Sequence, residues 1–181
     1  AHRHFSQGAQ AKSASVGRIA LVRNGISVQR GELRAELRTK GYEFTSQTDT
    51  EVIAHLVDRL YEGDLLDAVQ RAIVQLRGAY AIAVVSTQEP GVVVGARKGS
   101  PMVMGLGDGE QYLASDIHAL LPVTRRFVYL AEGDIAEIRI DSTRVFDAEG
   151  REVARPVKEA HFSADAVQRG EYRHYMLKEI H

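Results

Sequence analysis

Gly78 separates two hydrophobic periodicities, and that division constrains the fold more than any other feature of the chain. Before it, Val52, Ile53, Leu56, Val57 and Leu60 make one apolar stripe at helical spacing, opened by Thr48 and Glu51 in the pattern of a capping box. A second helix is predicted over 65–76, with Val69, Ile73 and Leu76 on one face, and an earlier one over 32–40 stops at Gly41. After Gly78 the spacing becomes that of strands, at 80–86, 92–97, 102–106, 112–115, 127–130 and 135–140. Helices gathered in one stretch and strands in the next predict an α+β layered fold in which two packed sheets carry flanking helices.

The smaller elements follow from local chemistry. Residues 1–16 show neither period and read as an irregular arm. Residues 19–22 are a short apolar run that reads as a buried strand entering a tight turn at Asn24-Gly25. Ser115-Asp116 can cap a brief helix before Pro122, and 147–150 reads as a late hairpin turn. In the tail, Tyr172, Tyr175, Met176 and Ile180 fit a terminal helix.

With 181 residues, 44% of them hydrophobic, the chain can bury a sizeable core, and one domain is expected. Charged residues make up 26% and nearly cancel, to a net charge of -1, so neither nucleic acid nor an anionic membrane is the expected partner. No apolar run approaches the roughly 18 residues that span a bilayer, and Ala1-His2-Arg3-His4 lacks the apolar core of a signal peptide, so a cytoplasmic location is expected. The sequence contains no cysteine, which removes disulfides, thiolate metal sites and cysteine nucleophiles together.

Two short segments carry candidate chemistry. Asn24-Gly25 is the preferred pair for a tight hairpin turn, and turn preference favours that reading. Its functional reading is an oxyanion hole, with the Asn amide and the Gly N–H aimed at a developing negative oxygen. Asp49 lies in the first turn of its helix, where a carboxylate complements the macrodipole without any ligand. It can also hold a ligand ammonium if that helix start faces a cleft, and the two roles are compatible. Gly105-Leu106-Gly107-Asp108-Gly109 lacks the spacing and the following helix of a nucleotide loop and reads as a turn. His2 and His4 do not define a metal site, and none is expected.

Several segments together resemble the glutaminase half of glutamine–fructose-6-phosphate aminotransferase, a type II glutamine amidotransferase. They include Leu21-Val22-Arg23-Asn24-Gly25-Ile26, Thr48-Asp49-Thr50-Glu51-Val52-Ile53-Ala54-His55-Leu56, Gln75-Leu76-Arg77-Gly78-Ala79-Tyr80, Lys98-Gly99-Ser100-Pro101 and Tyr172-Arg173-His174-Tyr175-Met176. Asn-Gly and the Thr-Asp-Thr-Glu helix start are shared widely among type II amidotransferases, while the last two segments point to the hexosamine branch.

The resemblance implies the four-layer αββα sandwich of amino-terminal nucleophile hydrolases, here lacking its first strand or strands. It implies an incomplete glutaminase domain over 17–158 and a tail over 159–181 leading toward a sugar isomerase domain. An amino-terminal Cys would attack the glutamine side-chain amide and release ammonia, which the isomerase domain would use to make glucosamine 6-phosphate from fructose 6-phosphate. By position, Asn24 and Gly25 match the oxyanion hole, Asp49 matches the carboxylate that holds the α-ammonium of glutamine, and Arg3 matches an Arg that holds its carboxylate. No cofactor is implied, and a homodimer is possible in the full-length family.

The chain departs from the family near the site. Arg3, Ser6 and Gly8 align with an Arg-Trp-Ala-Thr-His-Gly segment only across a gap, Ala9-Gln10-Ala11-Lys12 replaces Ala-His-Pro-His, and Arg23 stands where a His precedes Asn-Gly. Without the Cys-bearing strand the sheet should have an unpaired edge. The chain alone is therefore expected to be inactive. The alternatives are a degenerate module that binds glutamine or a protein, and activation by a separate Cys-bearing piece.

Overall fold

Two strands, β1 (Lys12–Val16) and β2 (Ile19–Ser27), form an antiparallel hairpin across Gly17 and Arg18. The structure is a computed structural model that describes residues 12–27 and 30–160. The last five residues of the expected irregular arm are thus strand, a correction with a simple cause. The sequence Lys-Ser-Ala-Ser-Val has no apolar period, and its order comes from the backbone ladder with β2. Among the described residues, β1 and β10 are the outer strands of that sheet.

The helices follow in the predicted order as α1 (Arg30–Thr39), α2 (Asp49–Leu60) and α3 (Leu65–Ile73). α1 ends in a Schellman motif, in which the Tyr42 N–H donates to Leu37 O at 3.1 Å and the Gly41 N–H to Arg38 O at 3.0 Å. Gly41 has φ +88, which a Cβ would strain, although the space beside it is open. α3 stops three residues short of the predicted end, and Gln75 and Leu76 close the last turn by bonds to Ala72 and Ile73.

β3 (Gly78–Ser86), β4 (Val93–Lys98), β5 (Val103–Leu106), β6 (Gln111–Ala114), β7 (Arg126–Tyr129), β8 (Ile135–Ile138), β9 (Thr143–Phe146), β10 (Glu152–Val153) and β11 (Val157–Glu159) follow, and the terminal helix expected at Tyr172, Tyr175, Met176 and Ile180 lies outside the described residues. Among the described residues they form two antiparallel sheets, β1-β2-β3-β4-β8-β9-β10 and β11-β7-β5-β6. A short 3-10 segment, Ile117–Ala119, is capped by the Asp116 side chain. The 147–150 turn joins β9 to β10 as expected.

The layers follow from strand alternation. Ile19 and Leu21 on β2 and Ile82 and Val84 on β3 face the helices and pack with Ile53, Leu56 and Val69. Ala81, Ala136 and Ile138 face the other way, onto Met104 and Val128 of the second sheet and onto Met102, which precedes β5. Gly95 makes this approach possible, because a Cβ there would lie 2.7 Å from Leu113 Cδ1. Val103, Leu120 and Phe127 form a third cluster on the far side, with Ile117 of the 3-10 segment against it. The α+β sandwich expected from the sequence is the architecture observed.

Asn24-Gly25 is not a turn. β2 runs through both residues, pairing Asn24 with Ala81 and Gly25 with Tyr80, and the ladder continues to Ser27 opposite Gly78. A nine-residue strand registered on β3 overrides the local preference of the dipeptide.

The open space around Gly41 makes Gly41→Ala a clean test of its backbone conformation. Urea unfolding should show a loss of about 1 to 2 kcal/mol. An unchanged midpoint would mean that the left-handed cap contributes nothing to stability.

Candidate functional site

The site begins with α2, whose start is fixed by its cap. Thr48 Oγ1 accepts a hydrogen bond from the Glu51 N–H, as the capping-box reading predicts. The reciprocal half differs. The Glu51 carboxylate accepts from the N–H and hydroxyl groups of Thr45 and Ser46, at 2.6 to 2.9 Å, and so ties the preceding loop to the helix. Burial alone would raise the Glu51 carboxyl, but the bonds from Ser46 and Thr45 outweigh it and bring it down to about 2. The same loop is held from α1, where the Arg34 guanidinium donates to Ser46 O and lies over the Phe44 ring. His55, one turn beyond Glu51, sits edge-on to both Tyr42 and Phe44.

Asp49 is the first helical residue and is 9% exposed. Its carboxylate accepts from Arg23 Nη2 at 3.3 Å, with side chains 11% and 3% exposed. Arg23 follows Ile19 and Leu21 on the helix-facing side of β2, which carries its guanidinium under α2. Burial pushes that guanidinium below its ordinary value, opposed by the Asp49 charge. Arg18 makes a second pair with Asp58 at 2.9 Å, so α2 is pinned to the β1–β2 hairpin near both of its ends.

Gly25 follows with φ +106 in the middle of a paired strand. A Cβ there would lie 2.5 Å from Ala79 O and 2.8 Å from Ser100 Oγ, so the position admits glycine alone. Ser100 belongs to a loop stapled from below. The Gly99 N–H donates to both Glu132 oxygens at 2.8 and 3.1 Å, and Arg97 Nη2 donates to Glu132 at 2.8 Å. Tyr80, opposite Gly25, is buried, and burial followed by the Glu132 charge pushes its phenol up to about 12.

Of the residues picked out from sequence, Asp49 pairs with Arg23, which directly precedes Asn24 and Gly25 on β2, while Arg3 lies outside the described residues. Sequence reasoning did not foresee Arg23 as the partner of Asp49, nor Ser100 against Gly25. Strand alternation could have found the first, because a cation two residues beyond Leu21 on the buried face requires an anion nearby.

A family model described as a glutamine amidotransferase domain matches residues 2–122. The chain belongs to the glutamine amidotransferase family. It is 51% identical over its full length to the glutamine–fructose-6-phosphate aminotransferase (isomerizing) of Pseudomonas aeruginosa, covering 28% of that protein. It is 54% identical over 90% of its length to the same-named protein of Idiomarina loihiensis, covering 27% of it. The chain thus spans under a third of the length of the curated relatives it matches. Among solved structures, the glutamine phosphoribosylpyrophosphate amidotransferase of B. subtilis, complexed with ADP and GMP, matches 81% of this chain and 34% of its own, with TM-score 0.62 and 23% identity. That likeness establishes the fold. A second structure, described as the allosteric regulatory enzyme of purine biosynthesis, matches 72% of this chain and 28% of its own, with TM-score 0.61 and 25% identity.

The Glu51 carboxylate gives a pH prediction with a definite sign. Its folded value lies below its unfolded one, so its contribution is complete above about pH 4.5 and is lost as pH falls toward about 2. The stability difference between the natural chain and Glu51→Gln should therefore shrink by on the order of 2 kcal/mol over that range in urea titrations. A difference independent of pH would refute the assigned role of the charge.

Proposed function

We propose that this chain forms the glutamine-binding wall of a glutaminase within a glutamine–fructose-6-phosphate aminotransferase, where the side-chain nitrogen of glutamine leaves as ammonia for glucosamine 6-phosphate synthesis. The observation that carries this reading is the place of Asn24 and Gly25 inside a paired strand, beside a helix that presents a buried carboxylate. A turn-forming dipeptide with no turn to make, and a glycine whose φ no other residue tolerates, call for a role other than chain reversal.

In this reading Asp49 holds the α-ammonium of glutamine. A thiolate attacks the side-chain amide carbon, and the C=O electron pair moves onto oxygen. The Asn24 amide and the Gly25 N–H stabilise that oxyanion, each by about 3 to 4 kcal/mol. Collapse of the intermediate breaks the C–N bond, ammonia leaves after its nitrogen is protonated, and water hydrolyses the thioester to glutamate. None of these 181 residues is cysteine, so the thiolate has to come from outside them. We assign fructose 6-phosphate to the part of the relatives' length that this chain does not span.

We also place the protein in the cytoplasm. Supporting this are its resemblance to bacterial metabolic enzymes and the finding that no helix among the described residues is long and apolar enough to cross a membrane.

Calorimetry on the 181-residue polypeptide should show glutamine binding that Asp49→Asn weakens at least about tenfold. The same preparation should release no glutamate. Sustained release, unaffected by Asn24→Ala, would sink both the inactivity of the chain and the site assignment.

A further inference from the structure

The direction of the Gly25 N–H follows from the strand register. The Thr87 N–H donates to Arg18 O at 2.9 Å, which makes the even-numbered residues of β2 the ones bonded to β3. Asn24 therefore turns its carbonyl toward β3. The C=O and N–H of one planar trans peptide point in opposite directions, so the Gly25 N–H turns away from β3. Glycine has few restraints of its own, and whatever holds this peptide in place has to come from its neighbours.

Two neighbours crowd it. A Cβ on Gly25 would lie 2.5 Å from Ala79 O of β3 and 2.8 Å from Ser100 Oγ, which puts the hydroxyl against the Gly25 backbone. Ser100 is carried by Gly99, and Gly99 also closes on β3. It bridges to Tyr80, and a Cβ on it would lie 2.6 Å from Ala79 Cβ. Ala79 and Tyr80 are thus packed between the two glycines. What keeps Gly99 there is Glu132, whose oxygens accept from the Gly99 N–H at 2.8 and 3.1 Å. Such charge-assisted bonds are roughly twice as strong as neutral ones. The carboxylate is itself met by Arg97 Nη2 at 2.8 Å, and Arg97 is fixed through its Nη1 to Leu130 O.

We propose that Glu132 is a positioning residue of this site: by holding Gly99 it keeps Ser100 against Gly25 and so fixes the direction of the Gly25 N–H. Glu132 touches neither Gly25 nor any ligand in this account and acts through Ser100. The inference rests on the reading of Gly25 as an oxyanion donor and names what orients that donor.

The test is nuclear magnetic resonance on the isotope-labelled 181-residue polypeptide. Without ligand, Glu132→Ala should move the Gly25 amide resonance while leaving that of Asp49 in place. Titrations with L-glutamine and with L-norvaline, which keeps the amino-acid head group but ends in a methyl, then separate the amide contact from the rest. The natural chain should prefer glutamine by at least about tenfold. In Glu132→Ala that preference should fall to within about threefold, with norvaline binding unchanged. Glu132→Gln retains an acceptor for the Gly99 N–H and should keep most of the preference. Ser100→Ala removes the contact with Gly25 without touching Glu132, and it should lose the preference as Glu132→Ala does. It decides the matter if thermal melting shows Glu132→Ala to be unfolded.

A merely structural Glu132 would weaken both ligands together and leave their ratio intact. A preference for glutamine that persists in folded Glu132→Ala or in folded Ser100→Ala, or a Gly25 resonance that neither variant moves, overturns this inference and leaves the oxyanion reading standing. A natural chain that binds no glutamine, or prefers it no more than norvaline, overturns both.

Discussion

The position of α2 along β2 is the constraint from which the site follows. Two arginines on the hairpin, Arg18 and Arg23, face two aspartates on the helix, Asp58 and Asp49, with the order reversed, so that helix and strand run in opposite directions. Five strand residues cover about 17 Å and nine helical residues about 14 Å, so both pairs close with little adjustment. The outer pair is partly solvated, with side chains 34% and 23% exposed, and contributes modestly. The inner pair is dry. Its desolvation cost offsets much of its attraction, so its effect is to fix where Asp49 stands more than to add stability.

The larger elements were legible because they rest on periodicity. The stripe of Val52, Ile53, Leu56 and Val57 lies in the core on the side where α2 packs on the β1–β2 hairpin, as its spacing requires. The strand runs after Gly78 all became strands, since alternating burial between two layers imposes a period that survives tertiary packing. Thr48 and Gly41 mark helix ends through bonds within a few residues, and such local chemistry reads directly from sequence.

Features decided by distant partners were not legible. Asn24-Gly25 carries a turn signature that its ladder with residues 80 and 81 overrules. β1 is polar and small, and β10 and β11 are two and three residues long, too short to show any period. The Glu51 N–H met its predicted acceptor, Thr48 Oγ1, while its carboxylate turned to Thr45 and Ser46, a choice set by the path of the preceding loop. Arg23 finds its anion 26 residues away, across a layer boundary, a separation at which spacing along the chain carries no signal.

Glu132 lies where the chain returns from the second sheet to the first, between β7 and β8, and it grips Arg97 and Gly99 where the chain leaves the first sheet for the second, between β4 and β5. The outgoing and returning crossings are therefore fastened to each other, and Arg97 Nη1 adds a bond to Leu130 O at 2.9 Å. Sliding of one sheet over the other has to strain this fastening first. Because Ser100 rides on the outgoing crossing and rests against Gly25, a shear between the sheets is delivered as a displacement at the one backbone position that has no room to absorb it. Glu132 thus ties the loop that lies against Gly25 to the segment that returns between the two sheets.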